Sequence, residues 1–180
     1  AVVVGPGLGK TQLARKAVIN LLSATQTPTV VDADALYAIG QQSLDPSDFG
    51  DHVVLTPHDA EYEYLTGHRP QTNRVLDVRE TAAKLNTVIL LKGSTTIVSH
   101  PDGRCLLVNN GDQRLATAGT GDVLSGVIAG LLARGVSPFE AAAAGAWIHA
   151  EAANNCLAEG MIASDIIRVL PEVLNAANVG

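Results

Sequence analysis

The chain has 180 residues, of which 47% are hydrophobic, 17% charged and only 3% aromatic. That length buries roughly 70% of the unfolded surface in one domain, and an apolar content built on Ala, Val, Leu and Ile is the usage of a parallel-sheet α/β protein. The net charge of -6, with no Lys/Arg cluster to offset it, argues against a nucleic-acid-binding face and leaves room for a small anionic ligand held by helix ends and a single lysine.

Cys105 and Cys156 lie far apart without metal-ligand spacing, which points to a reduced, cytoplasmic protein. No apolar run reaches the length of a membrane span, and no basic-then-apolar leader opens the chain. Ala1 starts directly inside an apolar strand pattern, as in a cut fragment or processed chain.

Taken in order, AVVVGPGLGKTQLARKAVINLL reads as strand, glycine loop and helix, with Val2 to Val4 a buried strand and Leu13, Ala17, Ile19 and Leu21 carried on the helix. A P-loop needs four residues between its first glycine and Gly-Lys-Thr, and Gly5 and Gly9 enclose three. A dinucleotide fingerprint needs a third glycine where Lys10 stands. The loop is then either a tight strand-to-helix turn or a backbone approach to a ligand at Gly7 and Gly9. TPTVVDADAL (27–36) is a second short strand ending on Asp32 and Asp34, which either cap a helix starting near Ala35 or face a cleft at the strand end. Gln41 to Gly50 has the composition of a surface loop.

Val53 to Leu55 forms a third strand, followed by a Thr-Pro turn and a helix over Asp59–Leu65. His58 stands at that turn and Glu61 three residues later, where a glutamate can complete a helix cap or join a site. Arg74 to Leu85 is a helix with Val75, Val78 and Ala82 inward. Thr87 to Leu91 is apolar enough to be a central strand, and it ends on Lys92. Lys92, Gly93, Ser94, Thr95 and Thr96 offer a cation, a flexible backbone and three hydroxyls, an inventory suited to phosphate. Ile97 to Val108 reads as a β-hairpin around Pro101-Asp102-Gly103.

Thr117 to Gly135, TAGTGDVLSGVIAGLLARG, carries Val123, Leu124, Val127, Ile128, Leu131 and Leu132 on one helix face. Gly119 and Gly121 lie where unpaired N–H groups and the positive end of the helix suit an anion. Asp122 is either a carboxylate answering the helix dipole or an acid/base group. A helix starts at Ser137-Pro138, with Gly145 and its alanines permitting close packing and Trp147 and His149 as packing residues. The last helix, Ile166 to Leu174, is broken or restarted at Pro171. The chain shows no internal repeat and no linker.

GPGLG (5–9), VVDADAL, LTPHDAE, LLKGSTT and AGTGDVLSG, in this order over nearly the whole chain, resemble the ribokinase-like superfamily. More narrowly they resemble the ADP/ATP-dependent NAD(P)H-hydrate dehydratase family, the C-terminal domain of bifunctional nicotinamide nucleotide repair proteins. The resemblance implies one domain over 1–180, N-terminally incomplete. It is a three-layer α/β sandwich with a mostly parallel central sheet, helices on both faces and a β-hairpin in the C-terminal half.

The implied activity is phosphorylation of the ring hydroxyl of hydrated NADH or NADPH from ADP or ATP, followed by elimination of phosphate. By the same resemblance Asp122 takes the hydroxyl proton and Gly119 and Gly121 belong to the anion hole. Lys92, Gly93, Ser94, Thr95, Thr96 and Gly121 bind the nucleotide, while Gly7, Gly9, His58 and Asp122 bind the hydrated dinucleotide. Glu61 orients Mg²⁺ through water, in a His-x-x-Glu that stands for the superfamily's Asn-x-x-Glu. Asp59-Ala60 replaces the family's usual Pro-Gly after the histidine, which bears on the substrate-side loop. A cytoplasmic homo-oligomer, fused to an epimerase domain in a longer protein, is also implied. The alternatives are a ribokinase-like kinase of a vitamin precursor or sugar alcohol, and a nucleotide-binding remnant without catalysis.

Overall fold

The computed structural model describes residues 1–40 and 49–177; the surface loop expected over 41–50 falls almost entirely outside them. Six strands form one sheet in the order β1 (Val2–Val4), β2 (Thr29–Val31), β3 (Val53–Leu55), β4 (Val88–Leu91), β5 (Thr96–Ser99) and β6 (Cys105–Val108). The first four run parallel, and β5 and β6 form the antiparallel hairpin expected from the Pro-Asp-Gly turn. The strand ending on Lys92 is central, with every residue of β4 buried between β3 and β5.

Alternation along the strands supplies two apolar faces. Val30, Val54, Val88, Leu90 and Val98 face one side, against α5 (Thr120–Ala133) and α6 (Pro138–Asn154). Val31, Val53 and Leu55, with Ile89, Leu91 and Ile97, face the other. There they meet α1 (Gln12–Ala24), α2 (Asp34–Gly40), α3 (Asp59–Thr66) and α4 (Arg74–Leu85). The registered pairs Val30 with Val54 and Val54 with Val88 keep like faces together across strands. The result is helices on both faces of a mostly parallel sheet. α7 (Ala163–Ala177) packs outside α5 and α6 through Ile166 and Val173. Gly145 lets α6 press on α5, because a Cβ there would sit 2.6 Å from an Ile128 side-chain carbon.

Three sequence expectations change. Val2–Val4, expected as a buried strand, forms β1 at one end of the described sheet beside β2, and Val3 is 36% exposed. α7 runs through Pro171 unbroken. The carbonyl that loses its bond to the missing Pro171 N–H belongs to the exposed Ile167, where water replaces it at small cost. Trp147 is 45% exposed and does not pack in the core, whereas His149, two positions on, is buried.

Candidate active site

Because β1 to β4 are parallel, their C-terminal ends share one edge, where ligands of open α/β sheets bind. The ladder continues past the strands. The Asp32 N–H donates to the Val4 carbonyl at 3.0 Å, Thr56 N–H to Val31 at 3.1 Å, and Lys92 N–H to Pro57 at 2.8 Å. Those bonds hold the four post-strand loops abreast, so residues far apart in sequence reach one another.

In the first loop Gly5, Gly7 and Gly9 all have positive φ, the region where a side chain is strained. Gly5 has a second requirement, since a Cβ there would lie 1.7 Å from the Asp32 carbonyl oxygen. Gly7 faces open space. The Gly9 N–H donates to Asp34 Oδ2 at 2.9 Å, so Asp34 ties the glycine loop to the start of α2.

Asp32 turns towards the sheet edge. It is 2% exposed, and it directly precedes Ala33, whose φ of 49° is a left-handed conformation that reorients the chain. Lys92 Nζ donates to Asp32 Oδ1 at 2.9 Å, and Ser125 Oγ from α5 donates to Oδ2 at 2.8 Å. Lys92 Nζ also lies 3.4 Å from Glu61 Oε2. A lysine that the sequence offers as phosphate-facing or as snorkelling at a strand end is thus held between two carboxylates, with 21% of its side chain exposed.

Glu61 is fixed by its own helix. Its Oε2 accepts from the His58 N–H at 2.8 Å, and His58 Nδ1 accepts from the N–H groups of Ala60 and Glu61. This reciprocal cap on α3 satisfies orphan donors and aims both side chains at the strand edge. Next to it, Arg74 of α4 grips Asp59 with two bonds of 2.9 and 2.7 Å. The guanidinium holds the Asp59 carboxyl below the ordinary value, and the carboxylate raises that of Arg74. An open cleft of about 820 Å³ lies here, lined by His58, Arg74, Lys92, Gly93, Ser94 and Thr95 among others. Thr96 is not on this cleft; it begins β5 and lines a smaller cavity behind it.

The turn into α5 closes the arrangement. Gly119, with φ 87°, caps the helix, and Thr120 is buried. A Cβ on Gly121 would stand 3.7 Å from Lys92 Nζ, so this turn lies directly over the lysine. Asp122 stands exposed in the first turn of α5. Its side chain lines a different space, an apolar groove of about 540 Å³ between α5 and α7. The edge therefore joins Asp32, His58, Glu61, Lys92 and Gly121, while Gly7 and Gly9 lie on the loop after β1, tied to Asp34, and Asp122 lines the separate α5–α7 groove.

Among the described residues no three His, Cys, Asp or Glu side chains converge as a cage for a metal ion. Mg²⁺ keeps several waters and takes one or two carboxylates plus phosphate oxygens. Glu61, a carboxylate beside Lys92 at this edge, fits that mode, whereas both oxygens of the buried Asp32 are taken up by Lys92 and Ser125.

Sequence reasoning missed Ser125 and the Asp59–Arg74 pair. A serine next to Leu124 on the inward face of an apolar helix was the available signal for the first. The second joins residues from two helices, 15 positions apart, and has no local signature.

A sequence model of the family described as NAD(P)H-hydrate dehydratase matches residues 1–172. The bifunctional NAD(P)H-hydrate repair enzyme Nnr of Moorella thermoacetica is 40% identical over 180 residues, covering 95% of this chain and 34% of that protein. Among solved structures, the ADP/ATP-dependent NAD(P)H-hydrate dehydratase of Bacillus subtilis, co-crystallized with ATP/Mg²⁺, superposes with a TM-score of 0.84 at 34% identity. That match covers 97% of this chain and 63% of the other. A ribokinase-like superfamily protein of Enterococcus faecalis gives a TM-score of 0.84 at 29% identity, over 97% and 63% of the two chains. The chain thus spans about a third of the bifunctional relative and under two thirds of either solved structure.

Proposed function

The chain belongs to the NAD(P)H-hydrate dehydratase family, with a ribokinase-like α/β fold, and from that premise we propose that it dehydrates hydrated NADH or NADPH at the expense of ADP or ATP. The observation that carries this reading is the Lys92 ammonium, set between Asp32 and Glu61 directly beneath the Gly119–Gly121 turn. The edge thus has a cation, two carboxylates and a helix N-terminus, the kinds of group that phosphoryl transfer uses.

The nucleotide lies along Lys92 to Thr96, with its polyphosphate facing Lys92 and the N–H groups of Gly119 to Gly121. The cleft beside Gly93 and Ser94 gives its remainder room. The hydrated dinucleotide approaches over Gly7 and Gly9 and past His58 to Asp122. Asp122 takes the proton of the ring hydroxyl as that oxygen bonds to the terminal phosphorus, and the bond from phosphorus to the leaving nucleotide breaks. Phosphate then leaves with the C–O electron pair, the adjacent ring carbon releases a proton to water, and the electron pair of that C–H bond forms the restored double bond. Glu61 would hold Mg²⁺ through water, and the ion would supply positive charge to offset that of the phosphates. The N–H groups of the α5 turn stabilise the anionic oxygens of the moving phosphoryl group.

The same reading takes 1–180 as one dehydratase domain, self-associating, cytoplasmic, and joined in a longer protein to an epimerase domain. No helix among the described residues is long and apolar enough to cross a membrane. The test is recovery of NAD(P)H absorbance from chemically prepared hydrate with Mg²⁺ and ADP or ATP, compared with Asp122→Asn. Recovery that falls by about 10³-fold or more in the variant supports the reading. A stable phosphate ester in place of NAD(P)H and free phosphate would show a small-molecule kinase instead. Nucleotide binding with no product of either kind would show a remnant.

A further inference from the structure

Arg74 and Asp59 come from two helices, α4 and α3, and meet in the cleft beside the Lys92–Thr96 string. Nη1 and Nη2 of the guanidinium donate to the two carboxylate oxygens at 2.9 and 2.7 Å, which takes up two of the five N–H donors of an arginine. Among the described residues Arg74 makes no other side-chain hydrogen bond. The pair is partly exposed, at 33% for Arg74 and 48% for Asp59, and an ion pair so open to water adds little to stability. What it fixes is direction, because a fork to the first residue of α3 holds the planar guanidinium in one orientation.

That orientation brings Arg74 to the string. A Cβ on Gly93 would lie 3.3 Å from Arg74 Nη2 and 3.4 Å from the Thr95 carbonyl oxygen. Gly93 is not among the glycines of positive φ, so its backbone is open to other residues. The missing side chain preserves the space in front of the guanidinium instead. The Gly121 position, by contrast, has Lys92 Nζ at 3.7 Å and no atom of Arg74 within 4 Å. The two cations therefore meet the string at different points, Lys92 beneath the α5 turn and Arg74 over Gly93. Both line the open cleft, as Ser94 and Thr95 do.

We propose that Arg74 is a nucleotide-binding residue, whose free N–H groups meet the phosphate nearest the ribose, the one that ADP and ATP share and that stays with the leaving nucleotide. The inference rests on the reading of the Lys92–Thr96 string as the nucleotide's seat, with the transferring end at Lys92 and the α5 turn. A phosphate one step along the string from Lys92 comes to Gly93, and there Arg74 presents donors that no described group takes up. A guanidinium suits this place, since it keeps its charge at any working pH and can give two parallel bonds to one phosphate. The phosphate it meets is not transferred, so the contact is made alike before and during the chemical step and acts on nucleotide binding more than on rate.

The test measures AMP and ADP affinity by calorimetry, with Mg²⁺ and without hydrated dinucleotide, for wild type, Arg74→Gln and Arg74→Lys, together with steady-state NAD(P)H recovery. Arg74→Gln should weaken AMP and ADP by the same factor, about tenfold or more, since both carry the phosphate concerned. In turnover the loss should fall on KM for ADP more than on kcat, and KM for the hydrated dinucleotide should not follow it. Arg74→Lys keeps a point charge without the fork, and its affinities should lie between those of wild type and Arg74→Gln.

Wild-type AMP affinity in a folded Arg74→Gln, a loss for ADP that AMP does not share, or a lysine variant as weak as the glutamine one overturns the proposal. So does a wild type with no measurable AMP binding. Should Arg74→Gln fail to fold, phenylglyoxal modification of Arg74 in wild type decides, followed by peptide mass. Saturating AMP should slow it by about fivefold or more, and an unchanged rate overturns the proposal. Wild type that binds AMP and ADP yet recovers no NAD(P)H defeats the dehydratase reading alone, and the affinities then judge Arg74 by themselves.

Discussion

The Lys92 ammonium meets the buried Asp32 carboxylate at 2.9 Å, across 60 residues of sequence, and the same carboxylate accepts from Ser125 of α5 at 2.8 Å. One side chain thus joins the ends of β2 and β4 to the first turns of the helix that carries Asp122. Removing one partner of such a pair leaves the other charge partly desolvated. Asp32→Ala should cost about 3 kcal/mol of stability, and Ser125→Ala about 1.5 kcal/mol. Denaturant unfolding of both variants and of the double variant checks this, and the double should cost less than the sum.

Gly5 and Gly7 belong to one loop and should respond differently. Alanine at Gly5 places a carbon 1.7 Å from the Asp32 carbonyl oxygen, so the loop and Asp32 must both move. We expect a loss of at least about 3 kcal/mol, or no folded protein. Alanine at Gly7 meets nothing within 4 Å and carries only the strain of φ 67°. That variant should fold with a loss of about 1 kcal/mol, and its KM for the hydrated dinucleotide should rise while its ADP affinity stays as in wild type.

Glu61 does two jobs that a substitution can separate. Glu61→Gln keeps an acceptor for the His58 N–H and so keeps α3 capped. Its melting temperature should stay within about 3 °C of wild type. The lost charge should raise the Mg²⁺ concentration needed for half-maximal turnover by about tenfold. A Mg²⁺ requirement that does not move would remove Glu61 from the metal's surroundings.

His149 has a pH signature in stability. Its folded value of about 4 lies below its ordinary 6.5, so below pH 6.5 the unfolded chain binds the proton first. Its neutral burial is without penalty above about pH 6.5, and stability falls as pH drops towards 4, by of the order of 3 kcal/mol in all. Burial lowers the ring's value first and the Lys92 charge adds to it; Lys92, and Asp112, which borders the same small cavity as the ring, remain in both proteins compared. Wild type should therefore lose stability relative to His149→Leu as pH falls from 7 to 4, read as unfolding free energies at each pH.

The sequence by itself determined the parts that local physics fixes. Continuous apolar runs at Val53–Leu55 and Thr87–Leu91 can only be buried strands, and the His58–Glu61 spacing already contains a helix cap. The order of motifs around them, from the glycine loop to Gly119–Asp122, identified the family. Left open were matters settled by which strand lies beside which. Asp32 reads equally as a helix cap or a cleft residue until parallel pairing sets β2 two strands from β4 and Lys92 reaches across. The contrast of Trp147 with His149 turns on helix rotation against α5, which an alanine-rich stretch cannot specify, since alanine suits either face. Tertiary packing decided it, by burying the imidazole and leaving the indole at the surface, because the close approach of α6 to α5 at Gly145 fixes which side of that helix is inside.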